Sequence, residues 1–246
     1  MSEKHQPVAL ITGSARRVGA CIAETFHQAG YAIIVHYRHS DHEANRLVEK
    51  CNQQRAHSAI ALSADLDDVS HYEKLIHEAH REWARLDVLV NNASSFAPTP
   101  IGKITAADWD HLLNCNLKAP IFLSQAAAPF LSEKKGNIVN ITDIHSVSPM
   151  KAYSVYSCAK AGLSMLTKSL ALELAPHVRV NAVAPGSVIW PEGINTLPEK
   201  TKEAILSATL LHKQVAPEDI ANAVLFLAQQ DSITGQTIAV DGGRFY

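Results

Sequence analysis

Cysteine is scarce and scattered in this 246-residue sequence: Cys21, Cys51, Cys115 and Cys158 form no Cys-x-x-Cys pair and show no metal-type spacing. That excludes a secreted disulfide framework and fits a reducing, cytoplasmic setting. Long apolar runs are missing too, and the opening Met-Ser-Glu-Lys-His-Gln-Pro has no apolar core, so neither a membrane span nor a signal peptide is expected. Charge of one sign is not in excess. With 22 basic against 24 acidic residues the formal charge is -2, which gives no long-range attraction to nucleic acid or an anionic membrane. Phosphate recognition, if present, must be local. Histidine is the one plentiful metal ligand, with 13 copies. His36, His39 and His42 span a strand end and a loop, where a spacing of three does not converge, and His77-Glu-Ala-His80 is not His-Glu-x-x-His, so no metal is expected.

What is present is a regular alternation of two textures. Short β-branched runs (Val8 to Thr12, Ala32 to Tyr37, Ala59 to Ala64, Val88 to Asn91, Asn137 to Ile141, Val178 to Val183, Thr237 to Val240) are separated by segments of helical periodicity. The helical segments run from Val18 to Ala29, His42 to Gln54, Val69 to Trp83, Ala106 to Leu131, Val155 to Leu174 and Pro217 to Ala228. Strands alternating with helices predict an α/β fold: a single Rossmann-type, doubly wound domain over 1–246, with a parallel seven-stranded sheet covered on both faces. Composition agrees, since 47% hydrophobic and 19% charged residues suit one large buried core. Ligands are then expected beyond the carboxyl ends of the strands.

Several strand ends carry chemistry. The first empties into Thr12-Gly-Ser-Ala-Arg-Arg-Val-Gly19, where Gly13 and Gly19 would allow a tight turn and close approach of a pyrophosphate to a helix N-terminus. Arg17 stands where a third glycine is usual, with Val18 beside it. An arginine there would add charge-assisted bonds to a phosphate. The second strand runs out through Tyr37-Arg38-His39-Ser40, with no acid before Asp41. A carboxylate would bind a ribose 2′-hydroxyl, whereas Arg38 suits the 2′-phosphate of NADPH/NADP+. Asp65 and Leu66 close the third strand near the expected adenine. Asn91-Asn92-Ala93-Ser94-Ser95-Phe96 follows the fourth, with small residues that let the backbone pass beneath a cofactor. Phe96 reads either as a platform for a flat ring or as plain core packing. Asn116 is a candidate buried amide in need of partners. Pro185-Gly186-Ser187 opens a Pro/Gly-punctuated stretch containing Trp190, read as a substrate lid over about 187–212.

The central stretch runs from Asn140 to Lys160. Tyr156 and Lys160 are four apart, which places both on one helical face. A phenol titrating near ~10 becomes a better acid beside an ammonium, so Tyr156 would be the proton donor and Lys160 its tuner.

Gly13 with Gly19, Asn91-Asn92-Ala93, Asn116, Tyr156-x-x-x-Lys160 and Pro185-Gly186, in this order, resemble the short-chain dehydrogenase/reductase family across essentially the whole chain. Arg17, the His-Tyr-Arg-His-Ser40 run and Asp143 look like its pteridine reductases. Most of the family carries a serine thirteen residues before the tyrosine, where this chain has Asp143. A carboxylate there would repel the alkoxide formed from a ketone. A pterin instead presents a C=N whose nitrogen needs a proton, which an aspartic acid held partly protonated by burial would supply with Tyr156.

The resemblance implies that a 7,8-dihydropterin is reduced between Phe96 and the nicotinamide, with Ser94 and Arg17 hydrogen-bonding it. Trp190 would reach the pterin's side chain. It further implies that Lys160 binds the nicotinamide ribose, that Asn116 supports Lys160 through water, and that the protein is a homotetramer. Arg38 and His39 both stand as candidates for the 2′-phosphate, because related reductases carry the pair in either order. Ser146 would be the usual serine only if the connector shifted. Two other functions fit the same motifs: an NADPH-dependent carbonyl reductase, such as one for 3-oxoacyl thioesters, and a non-catalytic NADPH-binding regulator. Arg244 and Tyr246 are candidates for completing a neighbour's site.

Overall fold

The computed structural model describes residues 6–190 and 195–244. Seven strands form one sheet in the order β3-β2-β1-β4-β5-β6-β7. They are β1 (Val8–Ile11), β2 (Ala32–Tyr37), β3 (Ala59–Ser63), β4 (Val88–Asn91), β5 (Asn137–Ile141), β6 (Arg179–Pro185) and β7 (Thr237–Val240). Every pairing is parallel, with Leu10 of β1 beside Ile34 of β2 on one side and Leu89 of β4 on the other. The expected doubly wound sheet is therefore the observed one.

The apolar runs sort residue by residue onto two faces, as the two-residue side-chain period of a strand requires. Ala9 and Ile11 join the core under α1 (Arg17–Gln28), α2 (Asp41–Gln54) and α8 (Pro217–Gln229). Val8 and Leu10 join the opposite core under α3 (Ser70–Trp83), α5 (Ala119–Glu133) and α6 (Ser154–Leu174). Burial on both faces explains why these strands read as continuous Val/Ile/Leu runs rather than as alternating ones. Proline at the start of α8 fits the first helical position, where no intrahelical donor is lost.

Two helical expectations are corrected. The segment Ala106 to Leu131 is not one helix. It is α4 (Ala106–Leu113), a π-helical turn over Asn114–Lys118, and then α5. A capping box starts α4: the Thr105 hydroxyl accepts the Asp108 amide at 3.1 Å, and the Asp108 carboxylate accepts the Thr105 amide at 2.9 Å. The stretch 187–212 contains a helix that the periodicity did not predict, α7 (Glu199–Ser207), which has no buried residue and so shows no apolar stripe. Pro191 and Gly193 of that stretch lie outside the described residues.

Among the described residues, no helix is long and apolar enough to cross a membrane. The strand order reverses at the junction of β1 and β4, where a crevice opens beyond their carboxyl ends.

Candidate active site

The crevice is built on the turn after β1. The Thr12 hydroxyl accepts the amides of Asn92 and Ala93, each at 2.9 Å, which ties the β1 turn to the end of β4. Asn92 returns the connection, its Nδ2 donating to the Thr12 carbonyl at 2.8 Å and the Gly13 carbonyl at 3.1 Å. Gly13 sits at φ +61, and a Cβ there would come within 2.9 Å of Ala93 Cα. A Cβ on Gly19 would run into the Gly13 carbonyl oxygen and lie 2.6 Å from Asn92 Nδ2. Arg17, in the place of a third glycine, keeps that residue's left-handed backbone at φ 56, an uncommon and costly conformation for a side-chain-bearing residue.

His36 completes the turn. It is 2% exposed; its Nδ1 accepts the Gly13 amide at 3.0 Å, and its Nε2 lies 3.1 Å from the Ala64 carbonyl. An amide can only donate and a carbonyl only accept, so the ring is the neutral Nε2–H tautomer. Burial pushes its pKa down from 6.5 to about 4.

A cavity of about 440 Å³ follows the turn. Its walls include Gly13, Arg17, Val18, Gly19, Tyr37, Arg38, His39, Ser40, Asp65, Leu66, Asn92, Ala93 and Ser94. Helix α1 enters it with no side-chain cap and no acid in its first turn, so its orphan backbone donors are available to an anion. These residues fit the pyrophosphate of a dinucleotide. At the far end, Arg38 Nη2 lies 2.8 Å from Asp65 and Nη1 lies 3.0 Å from Asp67. The acids that partly neutralise Arg38 are therefore Asp65 and Asp67.

The residues expected to handle the proton, Asp143 and Tyr156, sit beyond the other end of the cleft. Asp143 caps the 3-10 turn Ile144–Ser146, its Oδ1 accepting the His145 amide at 2.8 Å. Its Oδ2 accepts the Tyr156 hydroxyl at 2.6 Å. Ser146 contributes only its amide, which donates to the Asp143 carbonyl at 3.0 Å. Tyr156 and Lys160 follow one another on α6, and Lys160 Nζ lies 5.8 Å from the Tyr156 ring centroid while donating to the Ile141 carbonyl at 2.9 Å.

The electrostatics reverse one expectation. Burial first, then the Asp143 charge and hydrogen bond, push the Tyr156 phenol well above its ordinary pKa, against a smaller opposing effect from Ser94. Burial leads and the carboxylate that Tyr156 touches adds to it, whereas the ammonium is not among the causes. Lys160 is 2% exposed, and burial lowers its pKa while Asp143 pulls it back up.

Asn116 lies in the π-helical turn, fully buried, and its partners are all accounted for. Its Oδ1 accepts the Ser94 hydroxyl at 2.8 Å, and its Nδ2 donates to the Ser95 carbonyl at 2.8 Å and the Leu112 carbonyl at 2.9 Å. Asn116 thus fixes the backbone after β4.

A second cavity, of about 670 Å³, opens in front of Tyr156 and shares Arg17 and Ser94 with the first. Phe96, Asp143, Tyr156, Gly186 and Ser187 line it, whereas Pro185 ends β6 behind it. Trp190 is not among its walls: its carbonyl accepts from Arg17 at 3.2 Å, and its ring faces Lys202 Nζ at 5.9 Å. Arg244 lines this chain's own cavity and donates to the Ile205 carbonyl at 3.1 Å; Tyr246 lies outside the described residues.

Tyr153 and Asn195 are among the residues of this cavity that were not foreseen. Tyr153 stacks on Phe96 with centroids 4.5 Å apart and planes 16° from parallel. Asn195 ties the pair to the 187–212 stretch, accepting from the Tyr153 hydroxyl at 3.3 Å and donating to the Phe96 carbonyl at 3.0 Å. The proximity of Tyr153 to Tyr156 in sequence was the only available hint.

Comparison with known proteins agrees with this architecture. A family model described as enoyl-(acyl carrier protein) reductase matches residues 13–244. Pteridine reductase 1 of Leishmania tarentolae is 35% identical, with 96% of each chain covered. The 3-oxoacyl-[acyl-carrier-protein] reductase FabG of Staphylococcus aureus is 34% identical, covering 96% of this chain and 97% of its own. The BbsD subunit of (2S)-[(R)-hydroxy(phenyl)methyl]succinyl-CoA dehydrogenase from Thauera aromatica is 36% identical, with 96% of each chain covered.

Proposed function

The chain belongs to the short-chain dehydrogenase/reductase family of nicotinamide-dependent oxidoreductases, and within that family we propose that it is an NADPH-dependent pteridine reductase. It would convert 7,8-dihydropterins to their tetrahydro forms, with biopterin or dihydrofolate as further substrates. One observation carries the reading: the carboxylate of Asp143, rather than a hydroxyl, meets the Tyr156 phenol at 2.6 Å. A serine in that place would donate to a carbonyl oxygen. A carboxylate accepts, which suits a heterocycle that presents N–H donors beside its reducible C=N bond.

A nicotinamide held by the residues of the first cavity would supply a hydride to the carbon of that bond. The nitrogen then takes a proton, and Tyr156 holds one that its elevated pKa keeps in place at any ordinary pH. Asp143, which lines the same cavity, would fix the phenol through the hydrogen bond that Tyr156 donates to it. Phe96, braced against Tyr153, offers a flat wall, and Arg17 and Ser94 stand where the two cavities meet. Lys160 would bind the nicotinamide ribose from its buried position, and Arg38 with His39 would receive the 2′-phosphate.

Carbonyl reduction is the second reading, favoured by the equal closeness of the FabG relative. Purified protein given NADPH with either dihydrobiopterin or an acetoacetyl thioester separates the two by which mixture consumes the cofactor. Asp143→Ser is the sharper test: pterin turnover should fall at least ~100-fold while NADP+ still binds. Unchanged pterin turnover would remove the argument. For assembly we propose a homotetramer, supported by the exposed Trp109, Phe122, Met165 and Leu172 on α4, α5 and α6. A light-scattering mass near 26.7 kDa would contradict it.

A further inference from the structure

The ribose end of the dinucleotide cleft carries more negative charge than a site built only to attract phosphate. The Arg38 guanidinium lies between two carboxylates, 2.8 Å from Asp65 Oδ2 and 3.0 Å from Asp67 Oδ2. Arg16, another cation of this cleft, is turned toward Glu43 at 3.9 Å. Before any ligand enters, one positive charge thus faces two negative ones.

The two acids are held differently. Asp65 is built into its loop, since its Oδ1 accepts the Asp67 amide at 2.9 Å. The Asp67 side chain is 26% exposed, and its Oδ2 meets both Arg38 and, at 3.2 Å, His111 Nδ1. We propose that Asp67 is a specificity-determining residue: it competes with the cofactor's 2′-phosphate for Arg38 and narrows the site's preference for NADPH over NADH. The proposal rests on the NADPH reading above.

The physical asymmetry is plain. Arginine has five N–H donors in a fixed fork, and the two carboxylates already engage both terminal nitrogens. A 2′-phosphate must share what remains and sit beside a second carboxylate of its own sign. A 2′-hydroxyl carries no charge and can donate to that carboxylate. Removing the Asp67 charge therefore helps the phosphorylated dinucleotide and not the other. Partial exposure limits the size of the effect, because solvent and salt screen the repulsion.

Calorimetric titration of NADP+ and NAD+ into the full-length protein tests this without any turnover. In Asp67→Asn the ratio of the NAD+ to the NADP+ dissociation constant should rise about three- to fivefold. Asp67→Glu keeps the charge and should hold the ratio near that of the unaltered protein. If Asp67→Asn does not fold, Asp67→Ser replaces it, since NAD+ binding itself reports an intact cleft. A ratio that stays constant or falls in the neutral variants overturns the proposal. The cofactor reading fails separately, if the unaltered protein binds NAD+ more tightly than NADP+.

Discussion

Acidification should unlock the phosphate turn through one side chain. His36 is held neutral by two backbone partners, and burial sets its folded pKa at about 4 against 6.5 in an ordinary setting. The unfolded chain takes up a proton near pH 6.5, whereas the folded one resists until about pH 4. Stability from this group is therefore complete above pH 6.5 and is lost as pH falls toward 4. Linkage between those two pKa values gives a loss of about 2 kcal/mol between pH ~7 and ~4.5. His36→Asn removes the titrating ring, so its stability should decline about 2 kcal/mol less over the same interval. Urea unfolding of both proteins at the two pH values, followed by tryptophan fluorescence at one protein concentration, measures the difference directly. Parallel declines would refute the reasoning, and would mean that the Gly13 amide does not depend on a neutral imidazole.

Three further outcomes follow from the site. Tyr156→Phe removes the phenol proton and should lower pterin turnover at least ~100-fold with NADP+ affinity retained; a loss under ~10-fold in steady-state assays would relieve Tyr156 of that role. Gly19→Ala drives a methyl group toward the Gly13 carbonyl and the Asn92 amide, and should cost more than ~2 kcal/mol in denaturant unfolding while abolishing cofactor binding in calorimetry. Asn116→Ala deletes three hydrogen bonds of a buried side chain and should cost about 2 to 3 kcal/mol; a thermal midpoint equal to that of the parent would show them to be dispensable.

The sheet was legible in the residues because parallel strands buried on both faces must be runs of Val, Ile and Leu, and nothing else in the chain competes for that pattern. Sites at strand ends inherited that legibility, which is why Gly13, Arg38, Asp65 and Asn92 line one cleft. Contacts across long sequence separation were not readable. The Arg38 to Asp67 pair joins different strand ends, and Asn195 reaches Phe96 from the 187–212 stretch. Helix α7 was missed because it has no buried face. His36 was read only within a histidine series and the His-Tyr-Arg-His-Ser40 run, although a polar residue inside an otherwise apolar strand already marks a side chain that needs fixed partners.

The irregular turn at Asn114–Lys118 gives this chain a sensitivity to length rather than to chemistry. The turn holds one residue more than an α-helical turn, so deleting one residue there would let α4 run into α5 as regular α-helix with the flanking residues close to their present places. The face that carries Leu123, Ala127 and Leu131 would stay on the sheet, while the amide of residue 116 would swing away from Ser94 and Ser95. A shorter and more regular helix would thus leave the molecule its core and cost it its pocket.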